Sequence, residues 1–197
     1  MTRGDKMSPA RVWVVGVPGS GKSTFAGDLA RVLGGRHVQL DSMFWLPDWK
    51  IQEADVFARE VESALGDDTW VVDGAFPVAV DGFIERSTCV VWLDPPLWRS
   101  WTRLVKRTLG RLVSGEQICG GNRESAASVF GSHSILWYAL KIHREQRATN
   151  EALFAALDHP PRVLVRARTA DTRKLARRLA EILRSGDLGP ARRSWSL

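Results

Sequence analysis

The chain has 197 residues, 44% of them hydrophobic, which suits one domain with a sizeable core, and its formal net charge is +6. Two cysteines exclude a four-thiolate zinc site and a disulfide framework, and no apolar run approaches the ~18 residues of a membrane span. Met1 to Lys6 carries no apolar stretch of the signal-peptide kind, so a cytoplasmic, reduced setting without a membrane partner is the expectation. The positive charge suits nucleic acid and anionic small substrates equally well.

The first expected element is a short buried strand, Val12–Val15. It runs into Gly16-Val17-Pro18-Gly19-Ser20-Gly21-Lys22-Ser23, the G-x-x-x-x-G-K-[ST] pattern of a phosphate-binding loop. Thr24 to Leu33 then reads as a helix with Phe25, Leu29 and Val32 on one face. A turn that bends around an anion needs glycines, which put no Cβ in the way. Its amides and the new helix N-terminus point at the β-phosphate. Gly16, Pro18, Gly19, Ser20, Gly21, Lys22, Ser23 and Thr24 are therefore the expected ATP contacts. Lys22 would reach the β- and γ-phosphates, and the Ser23 hydroxyl would ligate Mg²⁺.

Further strands are expected at His37–Leu40, Trp70–Val72, Cys89–Leu93 and Arg162–Val165, with Trp13, Trp70 and Trp92 in the core. Helical spacing runs through Gln52–Leu65 by way of Val56, Val61 and Leu65. Leu97 to Leu112 reads as a basic helix whose Arg103, Arg107 and Arg111 recur every four residues and share one face. Like charges on one face repel unless something anionic lies opposite. A glycine-rich stretch, Gly110 to Gly121, separates this helix from a long one expected from about Ser125 to Leu157. A glycine-rich loop flanked by arginines suggests a lid over residues 103–125, closing on a triphosphate. Asp171 caps a final helix to about Leu183, and the tail 186–197 has the composition of a disordered, basic segment. The expected organisation is a single P-loop kinase-like domain over residues 1–185, followed by that tail.

Strands alternating with helices imply an α/β domain with a parallel sheet, and ligands of such sheets bind at the carboxyl ends of the strands. The residues just past the strands are the phosphate loop, Asp41, Asp73-Gly74, Asp94-Pro95-Pro96 and Arg166 to Thr169. Three acidic strand ends around one phosphate loop have the makings of a metal and hydroxyl site. The four histidines have no metal-ligand spacing and read as surface or helix positions without chemistry.

From about residue 11 to 185 the chain resembles the adenylate-kinase-related P-loop proteins often labelled DNA topology modulation proteins. The landmarks are the phosphate loop, Leu40-Asp41 with Phe44-Trp45 and Pro47-Asp48-Trp49, and Trp70-Val71-Val72-Asp73-Gly74. Val91-Trp92-Leu93-Asp94-Pro95-Pro96 and Cys119-Gly120-Gly121-Asn122-Arg123-Glu124-Ser125 complete them. The resemblance implies a nucleoside-monophosphate-kinase-like, three-layer fold with a five-stranded parallel sheet in the order 2-3-1-4-5 and a helical lid, ATP binding, and phosphoryl transfer. Similar proteins usually follow the Asp-Gly with Asn-Tyr, whereas this chain has Ala75-Phe76.

In that fold the third strand lies beside the first, which gives Asp73 the Walker-B role toward Mg²⁺, with Asp94 the alternative. Asp41 either accepts a hydroxyl proton from the acceptor or serves as an N-cap. Trp45 and Trp49 form either an aromatic platform for the acceptor or a hydrophobic plug. Arg168 is placed to lie on the adenine face, and Arg107 and Arg123 are the lid candidates. Between residues 41 and 86 the only cations are Lys50, Arg59 and Arg86, which favours a neutral or weakly charged acceptor. The leading expectation is an ATP-dependent, adenylate-kinase-like small-molecule kinase. The alternative is a nucleic-acid-associated ATP-binding protein, supported by the basic last helix with Arg173, Lys174, Arg177 and Arg178.

Overall fold

A computed structural model describes residues 9–74, 86–125, 129, 134–156, 163–168, 171–185 and 192–195. The Ala75-Phe76 pair, Thr169, the expected start of the long helix at 126–128 and most of the tail fall outside them. The chain builds β1 (Arg11–Gly16), α1 (Lys22–Leu33), β2 (Arg36–Gln39), α2 (Leu40–Phe44) and α3 (Ala54–Ala64). It continues with β3 (Trp70–Asp73), β4 (Cys89–Leu93), α4 (Leu97–Ser114), β5 (Gln117–Ile118) and β6 (Asn122–Arg123). The last elements are α5 (Ile135–Ala156), β7 (Val163–Ala167), α6 (Thr172–Ser185) and β8 (Arg192–Trp195).

The main sheet is parallel throughout, in the spatial order β2-β3-β1-β4-β7-β8. Its first five strands follow the expected 2-3-1-4-5 order of a three-layer P-loop kinase fold. β8 departs from expectation: four residues of the segment whose composition reads as disordered pair with β7 and become the sheet edge. A two-stranded antiparallel hairpin, β5–β6, stands apart from the main sheet. The segment where a helical lid is expected, 103–125, therefore ends in a β-hairpin carried on α4.

β1 lies between β3 and β4, and its residues alternate between two cores because strand side chains have a period of two. Val12 and Val14 face α1 and α6, packing with Phe25, Leu29, Leu33, Leu175 and Leu179. Trp13 and Val15 face the other way, toward Leu40, Phe57, Val61, Trp70 and Trp92. Each fully buried Leu or Phe of these layers contributes about 1.5–3 kcal/mol relative to exposure. The three core tryptophans expected from sequence are buried, and the Trp13 indole N–H donates to the Gly74 carbonyl (2.8 Å). That bond ties the centre of β1 to the chain leaving β3.

One boundary shifts in a way that bears on the site. Leu40, expected to end β2, starts α2, so Asp41 lies in the first turn of a short helix. Asp171 does cap α6, its carboxylate accepting the Lys174 amide (2.9 Å). Among the described residues, no helix is long and apolar enough to cross a membrane.

Candidate active site

The phosphate loop turns on glycines with left-handed backbones, Gly19 at φ 77° and Gly21 at φ 94°. Gly21 is the N-cap of α1 and supplies no side-chain cap, so the first-turn amides of α1 lack a side-chain acceptor. A Cβ on Gly19 would run into the Ser100 carbonyl oxygen and come within 3.2 Å of Leu104 Cβ, so α4 presses directly on the loop. Ser20 is buried, and its hydroxyl has no hydrogen-bond partner. Lys22 Nζ curls back over the loop to the Val17 carbonyl (3.1 Å). A glycine cradle, uncapped amides and an orphaned buried hydroxyl fit a phosphate chain, since each supplies a donor or the space for one.

Asp73 ends β3, almost fully buried beside the loop. Its Oδ1 accepts from the Ser23 hydroxyl (3.2 Å) and its Oδ2 lies 2.7 Å from His37 Nε2. Ser23 and Asp73, the expected Mg²⁺ pair, therefore meet. His37, expected to be a position without a site partner, has one: β2 lies beside β3 and sets this imidazole against Asp73. No spacing in the sequence links positions 37 and 73; only strand adjacency does. No cluster of three or more His, Cys, Asp or Glu able to hold a metal ion occurs among the described residues. Ser23 and Asp73 alone suit Mg²⁺, which typically takes one or two carboxylates plus substrate phosphates.

Asp94, just past β4 as expected, has cationic partners. It is buried, and its Oδ2 faces Arg166 (2.6 Å), Arg168 (3.3 Å) and Arg147 (3.5 Å). Arg166 also lies over the Trp92 ring, 4.0 Å from its centroid. Arg168 points toward Asp94, with half of its side chain exposed.

Asp41, in the first turn of α2, lies within electrostatic reach of Lys22 and Asp73. Desolvation raises its pKa above the ordinary carboxylate value; Lys22 opposes the rise, Asp73 adds to it and Arg107 opposes it. Burial lowers the Lys22 pKa, Asp41 and Asp73 raise it, and Arg107 lowers it. Lys22 and Asp41 thus lie within electrostatic reach of each other and of both Asp73 and Arg107. Arg103, one turn nearer the loop, reaches the Ser20 carbonyl (3.5 Å). Arg111 pairs with Glu116 (3.7 Å) and Glu124 (3.8 Å) at the base of the lid hairpin. Arg123 is exposed on β6, opposite Gln117, and lies against the turn at Gly115. The structure brings Arg103 and Arg107 to the cleft; it leaves Arg123 on the outside of the hairpin.

The loop after α2 continues a chain of edge-to-face aromatic contacts. Phe57 of the core meets Phe44 (5.5 Å), Phe44 meets Trp45 (5.1 Å) and Trp45 meets Trp49 (5.8 Å). Asp48 (φ 62°) and Trp49 (φ 57°) are consecutive non-glycine residues in the left-handed region, at a cost of about 1–2 kcal/mol each. The buried side chain of Asn122, from the lid, accepts the Trp49 amide (3.1 Å) and donates to the carbonyls of Leu46 (2.8 Å) and Cys119 (2.6 Å). Sequence reasoning places Asn122 in a family landmark without giving it a role; only the folded lid reveals its partners.

No family model and no curated protein matches the chain. Among solved structures, the chain is similar to a shikimate kinase from Acinetobacter baumannii in complex with shikimate, at 17% identity and a TM-score of 0.56. The similarity covers 90% of this chain and 94% of that one. At this identity the likeness shows a shared P-loop kinase-like fold.

Proposed function

We propose that this protein is an ATP-dependent phosphotransferase that moves the γ-phosphoryl group to a small acceptor. The observation that carries the reading is the Ser23–Asp73 contact beside Lys22, with Asp41 within electrostatic reach. Gly16, Pro18, Gly19, Ser20, Gly21 and Thr24 would cradle the phosphates with Lys22, while Ser23 and Asp73 would hold Mg²⁺. When bound, the ion neutralises charge on the β- and γ-oxygens. His37 orients the Asp73 carboxylate. Asp94 is assigned a structural role because three guanidinium groups already engage it.

In the transfer step the acceptor hydroxyl attacks the γ-phosphorus and its proton passes to Asp41. The bond from the γ-phosphorus to the β-γ bridging oxygen breaks, and ADP leaves with that oxygen. Arg103 and Arg107 neutralise the charge that develops; such an arginine contributes a factor of ~10³–10⁵ in rate. The raised pKa of Asp41 suits a base, which works best near its own pKa.

A neutral or weakly charged hydroxyl acceptor is favoured over a monophosphate. Arg86 is spent on Glu62 (2.5 Å) and the Leu65 carbonyl (2.7 Å), and Arg59 is exposed on α3. The aromatic chain anchors the acceptor loop to the core at Phe57 and leaves Trp49 41% exposed at its far end, as a platform requires. The Leu40-Asp41 and Cys119 to Ser125 landmarks support placing the chain beside the DNA topology modulation proteins.

The test is ADP release with Mg-ATP, screened against nucleosides, nucleoside monophosphates, polyols and duplex DNA, with Lys22→Ala as the blank. Stimulation by a small hydroxyl compound, lost in Lys22→Ala, supports the reading. Stimulation by DNA alone replaces it with a nucleic-acid-associated ATPase.

A further inference from the structure

The lid hairpin and the acceptor loop belong to different parts of the chain, yet they are joined at one residue. Asn122 is 7% exposed, and all its side-chain bonds are made between these two segments or within the hairpin. On the loop side it holds the Leu46 carbonyl and the Trp49 amide, which enclose Pro47 and the left-handed Asp48 and lead into the left-handed Trp49. The loop also closes on itself: Leu46 N donates to Lys50 O (2.8 Å), Lys50 N to Pro47 O (3.5 Å) and Gln52 N to Phe44 O (2.9 Å), and Trp45 and Ile51 form an isolated bridge. Gly120 of the hairpin, at φ 65°, approaches the same loop so closely that a Cβ there would meet the Trp45 carbonyl oxygen and lie 2.8 Å from the Leu46 carbonyl carbon. On the lid side, Arg111 pairs with Glu124, so the hairpin base is also tied to α4, the helix that carries Arg103 and Arg107.

We infer that Asn122 is a positioning residue that clamps the lid hairpin to the aromatic acceptor loop, so that segments 44–52 and 117–123 open and close as one body. A side-chain amide suits this work because it both donates and accepts. Buried away from water, each of its bonds is costly to leave unmade. The consequence rests on the phosphotransferase reading: ATP that draws in the lid arginines also sets the loop bearing Trp45 and Trp49, so one substrate prepares the site of the other. Loop and lid then contribute to a single closing equilibrium.

Hydrogen exchange read by mass spectrometry tests this on the full chain, with Asn122→Ala, with Gly120→Ala as a second wedge that leaves Asn122 intact, and with unmodified protein. Without ligand, both variants should exchange about tenfold or more faster in 44–52 and in 117–123 together, with 11–16 and 89–93 unchanged. Acceleration of one segment alone, or of neither, overturns the clamp. With Mg²⁺ and a non-hydrolysable ATP analogue, the unmodified protein should gain protection in both segments and Asn122→Ala in 117–123 only. Equal protection of 44–52 in both proteins also overturns it. If the analogue fails to protect 16–23 in the unmodified protein, the phosphotransferase reading falls, while the ligand-free comparison still decides the clamp.

Discussion

Replacing Gly19 with alanine combines two costs that a matched control can separate. The first is backbone strain: a Cβ in the left-handed region costs about 1–2 kcal/mol. The second is collision, because the new methyl would sit on the Ser100 carbonyl oxygen and 3.0 Å from its carbon, and that backbone belongs to α4. Relieving the overlap means moving α4 by roughly an ångström, an overpacking cost of about 1–3 kcal/mol. Gly34 is the matched control, with φ 69° and nothing within 4 Å of its added Cβ, so Gly34→Ala carries the strain alone. In a chain of this length each kcal/mol lowers Tm by about 2–4 °C, which gives about 4–20 °C for Gly19→Ala and about 2–8 °C for Gly34→Ala. Differential scanning calorimetry measures both, and the difference between them isolates the contact. Gly19→Ala should also lose ATP affinity, because the moved helix carries Arg103 and Arg107. Equal melting of the two variants would refute the claim that α4 braces the loop.

Other outcomes follow from the same geometry. Asp73→Asn should weaken Mg²⁺-dependent ATP binding with little loss of Tm, whereas Asp94→Asn should cost about 1–3 kcal/mol of stability, lowering Tm by about 2–12 °C, and leave the Mg²⁺ dependence intact; titration calorimetry and thermal melts distinguish them. Because desolvation raises the Asp41 pKa, the protonated form is favoured in the folded state, so its stabilising share is fully present below the unfolded pKa and is lost as pH rises through the folded value. Asp41→Asn should consequently melt no lower than the parent at neutral pH. It should also erase an acidic limb of kcat/KM that lies above the ordinary carboxylate range. Cys89, buried with its pKa pushed up to about 12, should resist Ellman's reagent in the folded protein, whereas the half-buried Cys119 at the lid tip should react, faster at alkaline pH since burial raises its pKa too. Two rapidly reacting thiols would contradict the packing of β4.

Much of this site is legible in the sequence because its parts are local. The phosphate loop is contiguous, and the strand before it and helix after it follow from periodicity. The five-strand order follows from the fold that the landmarks imply. What resists sequence reasoning is contact between distant segments. His37 gains its partner only when β2 lies beside β3, and Asp94 acquires guanidinium groups from residues 147, 166 and 168. Position at a strand end makes Asp73 and Asp94 look alike; the neighbours separate them. Arg103 and Arg107 share a helix face with Arg111, but register against the loop decides which of them reaches it. β8 is hidden for another reason: an edge strand with one paired side needs little hydrophobic signal, so its composition reads as coil.

The place of β1 between β3 and β4 has a consequence for how the protein comes into being. Neither neighbour is a hairpin partner, so every pairing of β1 waits for a crossover, and its second edge is free until Leu93 has been made. Gly19 leans on Ser100, later still. On a ribosome adding about 5–20 residues per second, the glycine turn exists as sequence for several seconds before it exists as a shape. The glycine turn therefore takes its final shape only after the first half of the chain has been made.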